Sequence, residues 1–266
     1  MHLTRISTVA IMLATSSSAW AQGAPGAPAA PPGQGTAPAQ VAPAAPGSPP
    51  AQPARPGATP PAQGAPPQAQ VAAWMTDARN NCQILVPTAM RLDRITWSGR
   101  CPTANRASGN GTMQGFRGDR MVIRYEGAYR DGIRVGRGVA TTPEGTRYEG
   151  EWRDNASNGR GQFVSSDGRR YDGAFVNGAR QGRGVMQWPN GQRYDGEWRN
   201  DTPNGQGTLT GPTGDVYEGR WRDGKPEGQG TLRMTDGSVY TGNWSAGCFR
   251  EGDRRAVVMG DAAACR

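Results

Sequence analysis

The sequence predicts an all-β protein: an elongated, twisted, single-layer antiparallel sheet of tandem 23-residue β-hairpin repeats. Three observations carry this. A phrase of Tyr, a polar residue, Gly, any residue and an aromatic starts at Tyr125, Tyr148, Tyr171, Tyr194, Tyr217 and Tyr240, each 23 residues after the last. A fixed period of that size marks an array whose units pack on their neighbours. Within each period, ring-bearing and polar residues alternate, as on a strand with one apolar face. Turn dipeptides such as Asp167-Gly168, Asn190-Gly191 and Asp236-Gly237 separate the alternating segments, and both residues tolerate positive φ. Composition agrees. The 266 residues include 40 Gly and 22 Pro and are only 35% hydrophobic, too polar for a large globular core.

Taken in order, residues 1–21 read as a signal peptide: a basic head ending at Arg5, an apolar run from Ile6 to Ala14, and Ala19-Trp20-Ala21 as the cleavage pattern. The apolar run is shorter than the ~20 residues that span a bilayer, which argues against the competing reading, an uncleaved anchor. Residues 22–71 are nearly all Ala, Pro, Gly and Gln, with Arg55 the single charge. Such a segment cannot offset the entropy of ordering it, and is expected to be a disordered linker, most simply a solvated tail, with a spacer or bait for a proline-binding module as the functional readings. Residues 72–124 form an N-terminal cap. Over 72–96, which contains Trp74, Ile84, Leu85 and Val86, a short helix and a covering strand both stay open. A degenerate unit begins at Trp97, and Gly109-Asn110-Gly111-Thr112-Met113 copies Gly205-Gln206-Gly207-Thr208-Leu209. The regular array spans 125–244, and 245–266 is a C-terminal cap.

Four cysteines frame the array: Cys82 and Cys101 before it, Cys248 and Cys265 after it. Their spacings match no zinc pattern. Of the possible pairings, Cys82–Cys101 and Cys248–Cys265 join near neighbours at each end, where terminal units would otherwise fray. Disulfides suit an exported chain in an oxidising compartment, either the periplasm of a Gram-negative bacterium or outside the cell.

In the unit from Tyr194 to Val216, Tyr194, Gly196 and Trp198 alternate with Asp195, Glu197 and Arg199. A polar loop of Asn200 to Asn204 then leads to a second strand at Gly205–Thr210, and Pro212-Thr213-Gly214 turns into the next unit. One face carries the aromatic rows. The other sets Glu126, Glu149, Asp172, Asp195 and Glu218 between Arg124, Arg147, Arg170 and Arg193 on one side and Arg130, Arg153, Arg199 and Arg222 on the other. That face is either a solvated, salt-bridged surface or an anion-binding one.

The phrase Tyr-Glu/Asp-Gly-x-Trp, followed by Gly-x-Gly at a 23-residue period, resembles the MORN repeat (membrane occupation and recognition nexus). The resemblance covers the six starts from Tyr125 to Trp244, with Trp97 opening a seventh. It implies an elongated antiparallel sheet serving as a binding or assembly module, with repeats that are not catalytic. Relatives have been linked to phospholipid binding and to protein–protein scaffolding.

Catalytic readings are thin. The single histidine is His2, so a mature chain has none for a Ser-His-Asp triad or a His-ligated metal, and no metal or other cofactor is expected. No Gly-x-Gly copy completes a phosphate-binding loop. Arg117-Gly118-Asp119 matches a cell-adhesion tripeptide, which chance explains in so Gly- and Arg-rich a chain. The remaining enzyme reading is a cell-wall hydrolase with its site in 72–124. The expected function is a non-enzymatic scaffold that binds another envelope or extracellular protein through Tyr171, Phe175, Trp188, Tyr194, Trp198, Tyr217 and Trp221. The alternative uses the eight arginines named above against anionic lipid headgroups or cell-envelope surfaces, for which a net charge of +8 is suited. Export argues against nucleic acid.

Overall fold

A computed structural model describes residues 72–259 together with Ala263 and Cys265. The expected signal peptide and linker, and part of the C-terminal cap, lie outside the described residues. The strands are β1 (Ala72–Asp77), β2 (Cys82–Pro87), β3 (Arg94–Trp97), β4 (Arg100–Thr103), β5 (Arg106–Arg117) and β6 (Arg120–Arg130). They continue as β7 (Ile133–Thr141), β8 (Arg147–Arg153), β9 (Ala156–Val164), β10 (Arg170–Val176), β11 (Ala179–Gln187) and β12 (Arg193–Arg199). The last six are β13 (Thr202–Thr210), β14 (Val216–Arg222), β15 (Lys225–Arg233), β16 (Val239–Ser245), β17 (Cys248–Glu251) and β18 (Arg254–Val257). From β5 to β18 each strand pairs antiparallel with the next, so one open sheet of tandem hairpins runs through the array.

Two kinds of turn alternate along the meander. The first joins the two strands of a unit and is two residues long. Asp154-Asn155, Asn177-Gly178, Asn200-Asp201 and Asp223-Gly224 have positive φ at both positions, such as 47° and 67° at Asn200 and Asp201. That is the primed turn whose twist matches a hairpin. The expected five-residue loop from Asn200 to Asn204 is therefore replaced by this turn, and β13 begins at Thr202. The second turn joins units. The Gly211 N–H donates to the Asp215 carbonyl at 2.8 Å, and the Gly214 N–H to the Gly211 carbonyl at 3.1 Å. The extra length of the second strand is absorbed by bulges opposite Gly173/Phe175, Gly196/Trp198 and Gly219/Trp221.

The core lies on one face. Tyr171 faces Phe163 and Met186, Tyr194 faces Met186 and Leu209, and Tyr217 faces Leu209 and Leu232. Each Tyr ring lies over a pair of opposed glycines. A Cβ at Gly184 would sit 2.3–2.6 Å from Tyr171 ring and hydroxyl atoms, so that position must lack a side chain. Edge-to-face contacts run unbroken along the array, with centroids 5.3 Å apart for Tyr171–Trp198, 5.2 Å for Tyr194–Trp198 and 5.1 Å for Tyr194–Trp221. A second column ties units at the two-residue turns. The N–H of Gly178 bonds the Ser157 carbonyl at 2.9 Å, Asp201 that of Arg180 at 3.1 Å, and Gly224 that of Pro203 at 3.0 Å.

Both ends are closed. Over 72–96 the covering-strand reading holds: β1 pairs with β2, and the Leu85 N–H continues the turn column by donating to the Gly132 carbonyl at 2.9 Å. Asp77, buried at the end of β1, accepts from Arg79 and, at 2.7 Å, from the backbone N–H of Trp97. The degenerate unit joins in register, with Trp97 opposite Met113 and its ring edge-on to Tyr129 at 4.9 Å. Disulfides link Cys82 to Cys101 and Cys248 to Cys265, as expected from their placement. Near the C-terminus the Met259 sulfur reaches back to Nε2 of Gln192 at 3.6 Å.

Candidate binding face

The two faces of the sheet divide the chemistry sharply. The aromatic rows expected to meet a partner are the core itself. Tyr171, Phe175, Tyr194, Trp198, Tyr217 and Trp221 are all buried, none more than 6% exposed. A single-layer sheet would be expected to leave part of its ring stripe exposed; at these six positions it does not. The Tyr rings lie over the glycine pairs and the Trp and Phe rings meet them edge-to-face, so one layer suffices. Their polar ends are also satisfied internally: the Tyr194 hydroxyl donates to the Glu197 carbonyl at 3.0 Å, and Trp198 Nε1 to the Gly184 carbonyl at 3.0 Å. Burial pushes the Tyr125 phenol up to about 12, and those of Tyr148, Tyr171, Tyr194 and Tyr217 upward too. Of the aromatics expected at an interface, only Trp188 keeps part of its surface accessible, at the turn between β11 and β12.

Two arginines serve the inner face instead of the outer one. Arg134, buried, lies 4.3 Å from the Trp152 ring centroid, and Arg180 lies 4.5 Å from that of Trp198. The Arg180 backbone N–H and Nε both donate to Asp201 Oδ1 at 2.9 Å, and Nη2 to the Asp201 carbonyl at 2.8 Å. Arg134 makes the same three bonds to Asn155. Burial without a carboxylate lowers the pKa of Arg134.

The outer face carries the charge. Its central row alternates acids with uncharged residues: Glu149, Gln162, Asp172, Val185, Asp195 and Thr208 are successive cross-strand neighbours. On the side of the inter-unit turns, Arg124, Arg147 and Arg193 each bond the acid two residues on, at 2.6 Å for Arg147–Glu149 and 2.7 Å for Arg193–Asp195. Arg170, in the same row, makes no such pair. On the other side, Arg130 and Arg199 are exposed, Arg153 bonds Asn158 at 2.9 Å, and Arg222 pairs with Glu227. The expected Arg rows are thus brought to one face, but much of their charge is met locally.

A third arginine row went unread in the sequence. Arg137, Arg160 and Arg183 are the middle residues of successive Gly-x-Gly copies, all exposed on the outer face. Their recurrence every 23 residues was visible, but Gly-x-Gly was read as backbone geometry alone. Over β9 to β12 an open groove of about 610 Å³ is lined by Arg160, Arg170, Arg183, Gln162, Asp172 and Asp195 among others.

Comparison with known proteins fits this architecture. The MORN repeat family model matches residues 125–147, 148–169, 171–193, 194–216 and 217–239, so the chain carries five tandem MORN repeats. The match stops short of the Trp97 and Tyr240 phrases, although β16 keeps the array's register, with Gly230 opposite Gly242 and Leu232 opposite Tyr240. No curated protein matches the chain. Among solved structures it is similar to the TCP domain of SAS-4 (dCPAP) of Drosophila melanogaster, in complex with a proline-rich motif of Ana2 (dSTIL). Identity is 12% over 70% of this chain and 99% of that one, with a TM-score of 0.25.

Proposed function

We propose that this chain, with MORN repeats over 125–147, 148–169, 171–193, 194–216 and 217–239, is a non-enzymatic scaffold, exported from the cell, that holds an anionic partner along its outer face. One observation carries the reading. The rings are used up in the core, and the surface left to a partner is a face on which arginines recur with the repeat. Guanidiniums at fixed intervals suit extended anionic surfaces, whether cell-envelope polymers or lipid headgroups. Export is supported by the two disulfides that staple the ends, since such bonds persist in oxidising compartments.

The test is binding of the full chain to phosphatidylglycerol vesicles and to an acidic polysaccharide, at low and at physiological salt. Electrostatic recognition predicts affinity that falls steeply with salt. Absence of binding to either probe at low salt would sink the proposal. A protein partner is the second reading, favoured by the accessible part of Trp188. It predicts that Trp188→Ala weakens capture of that partner, and an unchanged affinity would remove Trp188 from the interface.

A further inference from the structure

The row through Arg137, Arg160 and Arg183 differs from the other arginine rows in having its charge free. Arg137 and Arg183 form no salt bridge among the described residues, and Arg160 comes no nearer than 4.0 Å to Asp172. Glu151, opposite Arg137, and Glu197, opposite Arg183, are engaged by backbone and not by those guanidiniums: Glu151 accepts the Arg160 N–H and Glu197 the Gln206 N–H, both at 3.3 Å. Between Arg160 and Arg183, where the neighbouring units carry Glu151 and Glu197, stands Ala174. Two guanidiniums therefore flank a position with no acid. Beyond the arginines the same row is continued by the exposed side chains of Asn110 on one side and of Gln206, Arg220 and Gln229 on the other. Carboxamides are thus interspersed with the cations.

Spacing and twist narrow the ligand. Strands lie ~4.8 Å apart, so one position per two-strand unit recurs every ~10 Å. That is close to the advance of a β-linked disaccharide. It is much longer than the charge spacing of a nucleic acid, which carries a phosphate every ~3.4 Å along each strand. Sheets also twist by ~20–25° per strand, so a row crossing four strands turns through roughly a right angle. A planar bilayer touches one such arginine well and the others poorly, whereas a flexible linear polymer follows the turn. Carboxamides suit hydroxyl and N-acetyl groups, and guanidiniums suit carboxylates through paired N–H donors.

We infer that Arg137, Arg160 and Arg183 form a rail that binds an acidic polysaccharide carrying one uronate carboxylate per disaccharide. The rail deepens the outer-face reading and rests on it.

The experiment is calorimetric titration of the full chain with hyaluronan oligosaccharides of one to five disaccharides. Affinity is expected to climb up to three disaccharides, one per arginine, and then level off. Replacing Arg137, Arg160 and Arg183 by Gln, the residue the chain itself carries at positions 206 and 229, is expected to weaken binding by about tenfold or more. Replacing Arg91, Lys225 and Arg255 by Gln removes equal charge from exposed positions outside the arginine rows and is expected to change it less than about twofold. Equal losses in the two triple variants, or affinity independent of length beyond one disaccharide, would overturn the rail. Phosphatidylglycerol vesicles separate the two levels of failure. Vesicle binding without hyaluronan binding overturns the rail and leaves the outer-face reading standing, while no binding of vesicles or hyaluronan at low salt overturns both.

Discussion

At the residue scale, the array depends on side chains that are absent as much as on those present. Gly184 is opposed to Gly173 under the Tyr171 ring, and a methyl there would overlap atoms of a ring already packed on its other sides. Gly184→Ala is expected to cost ~1–3 kcal/mol, as overpacking does, while the exposed Gly182, whose Cβ would meet only Ala174 at 3.7 Å, is limited by its positive φ of 71°. Chemical denaturation of the variant checks this: an unchanged stability for Gly184→Ala would mean that the Tyr171 ring yields freely to a methyl. Asp77 is the counterpart among charged residues. The Arg79 guanidinium holds its carboxyl down at about 2, helped by backbone N–H groups of Arg79 and Trp97. A depressed pKa gives stability that is present above pH ~4 and is lost as pH falls towards 2, at most ~2 kcal/mol here. Asp77→Asn should remove most of that acid sensitivity of the N-terminal cap, read as the pH dependence of thermal unfolding between pH 2 and 5.

At the scale of elements, the two-residue turns are where units are tied together, and Arg180 shows how. Its three bonds to Asp201 brace the turn and lay the guanidinium on Trp198. Because Asn155 serves Arg134 in the same geometry, Asp201→Asn is expected to cost no more than ~1 kcal/mol, and Asp201→Ala ~1–3 kcal/mol, since it strands half-buried donors. Equal losses would show that charge and not bond geometry matters. The ladder of phenols gives an alkaline test. Folded pKa values raised above ~10 mean stability complete below pH 10 and lost as pH rises past it. Absorbance at 295 nm should therefore stay low until the far-ultraviolet circular dichroism collapses, both in one step. How much of this could be read beforehand differs by element. The period, the strands and the acidic row were legible, because identity and spacing repeat together. The two-residue turns were misplaced even though Asn177-Gly178 and Asp223-Gly224 mark them. The other Asn-Gly and Asp-Gly pairs, at the inter-unit turns, gave the same signal, and only the register of the bulged strand tells the two apart. Ring burial was not legible at all, since alternation tells which residues share a face but not whether flat rings can cover themselves.

At the scale of the whole molecule, stability is a sum over units and their contacts with neighbours, weakest where a neighbour is missing. The described ends meet that weakness with disulfides, Cys82–Cys101 and Cys248–Cys265. Each loop, of 19 or 17 residues, is of a size for which cross-linking contributes ~3 kcal/mol. Reduction should accordingly speed amide exchange first in β1–β4 and β17–β18, with β10–β13 protected longest; uniform acceleration would mean that the array unfolds as one cooperative block. The inter-strand hydrogen bonds carry a mechanical consequence as well. They point along the line of units, so a pull on the two ends meets them one row after another instead of all at once. Under tension the array should open as a zipper does, each released unit letting out 23 residues, ~80 Å of chain where ~10 Å stood before. The cross-linked loops at either end cannot pay out in this way, and would stay short while the middle yields. A sheet built like this should give ground gradually under load and rewind unit by unit when the load is gone.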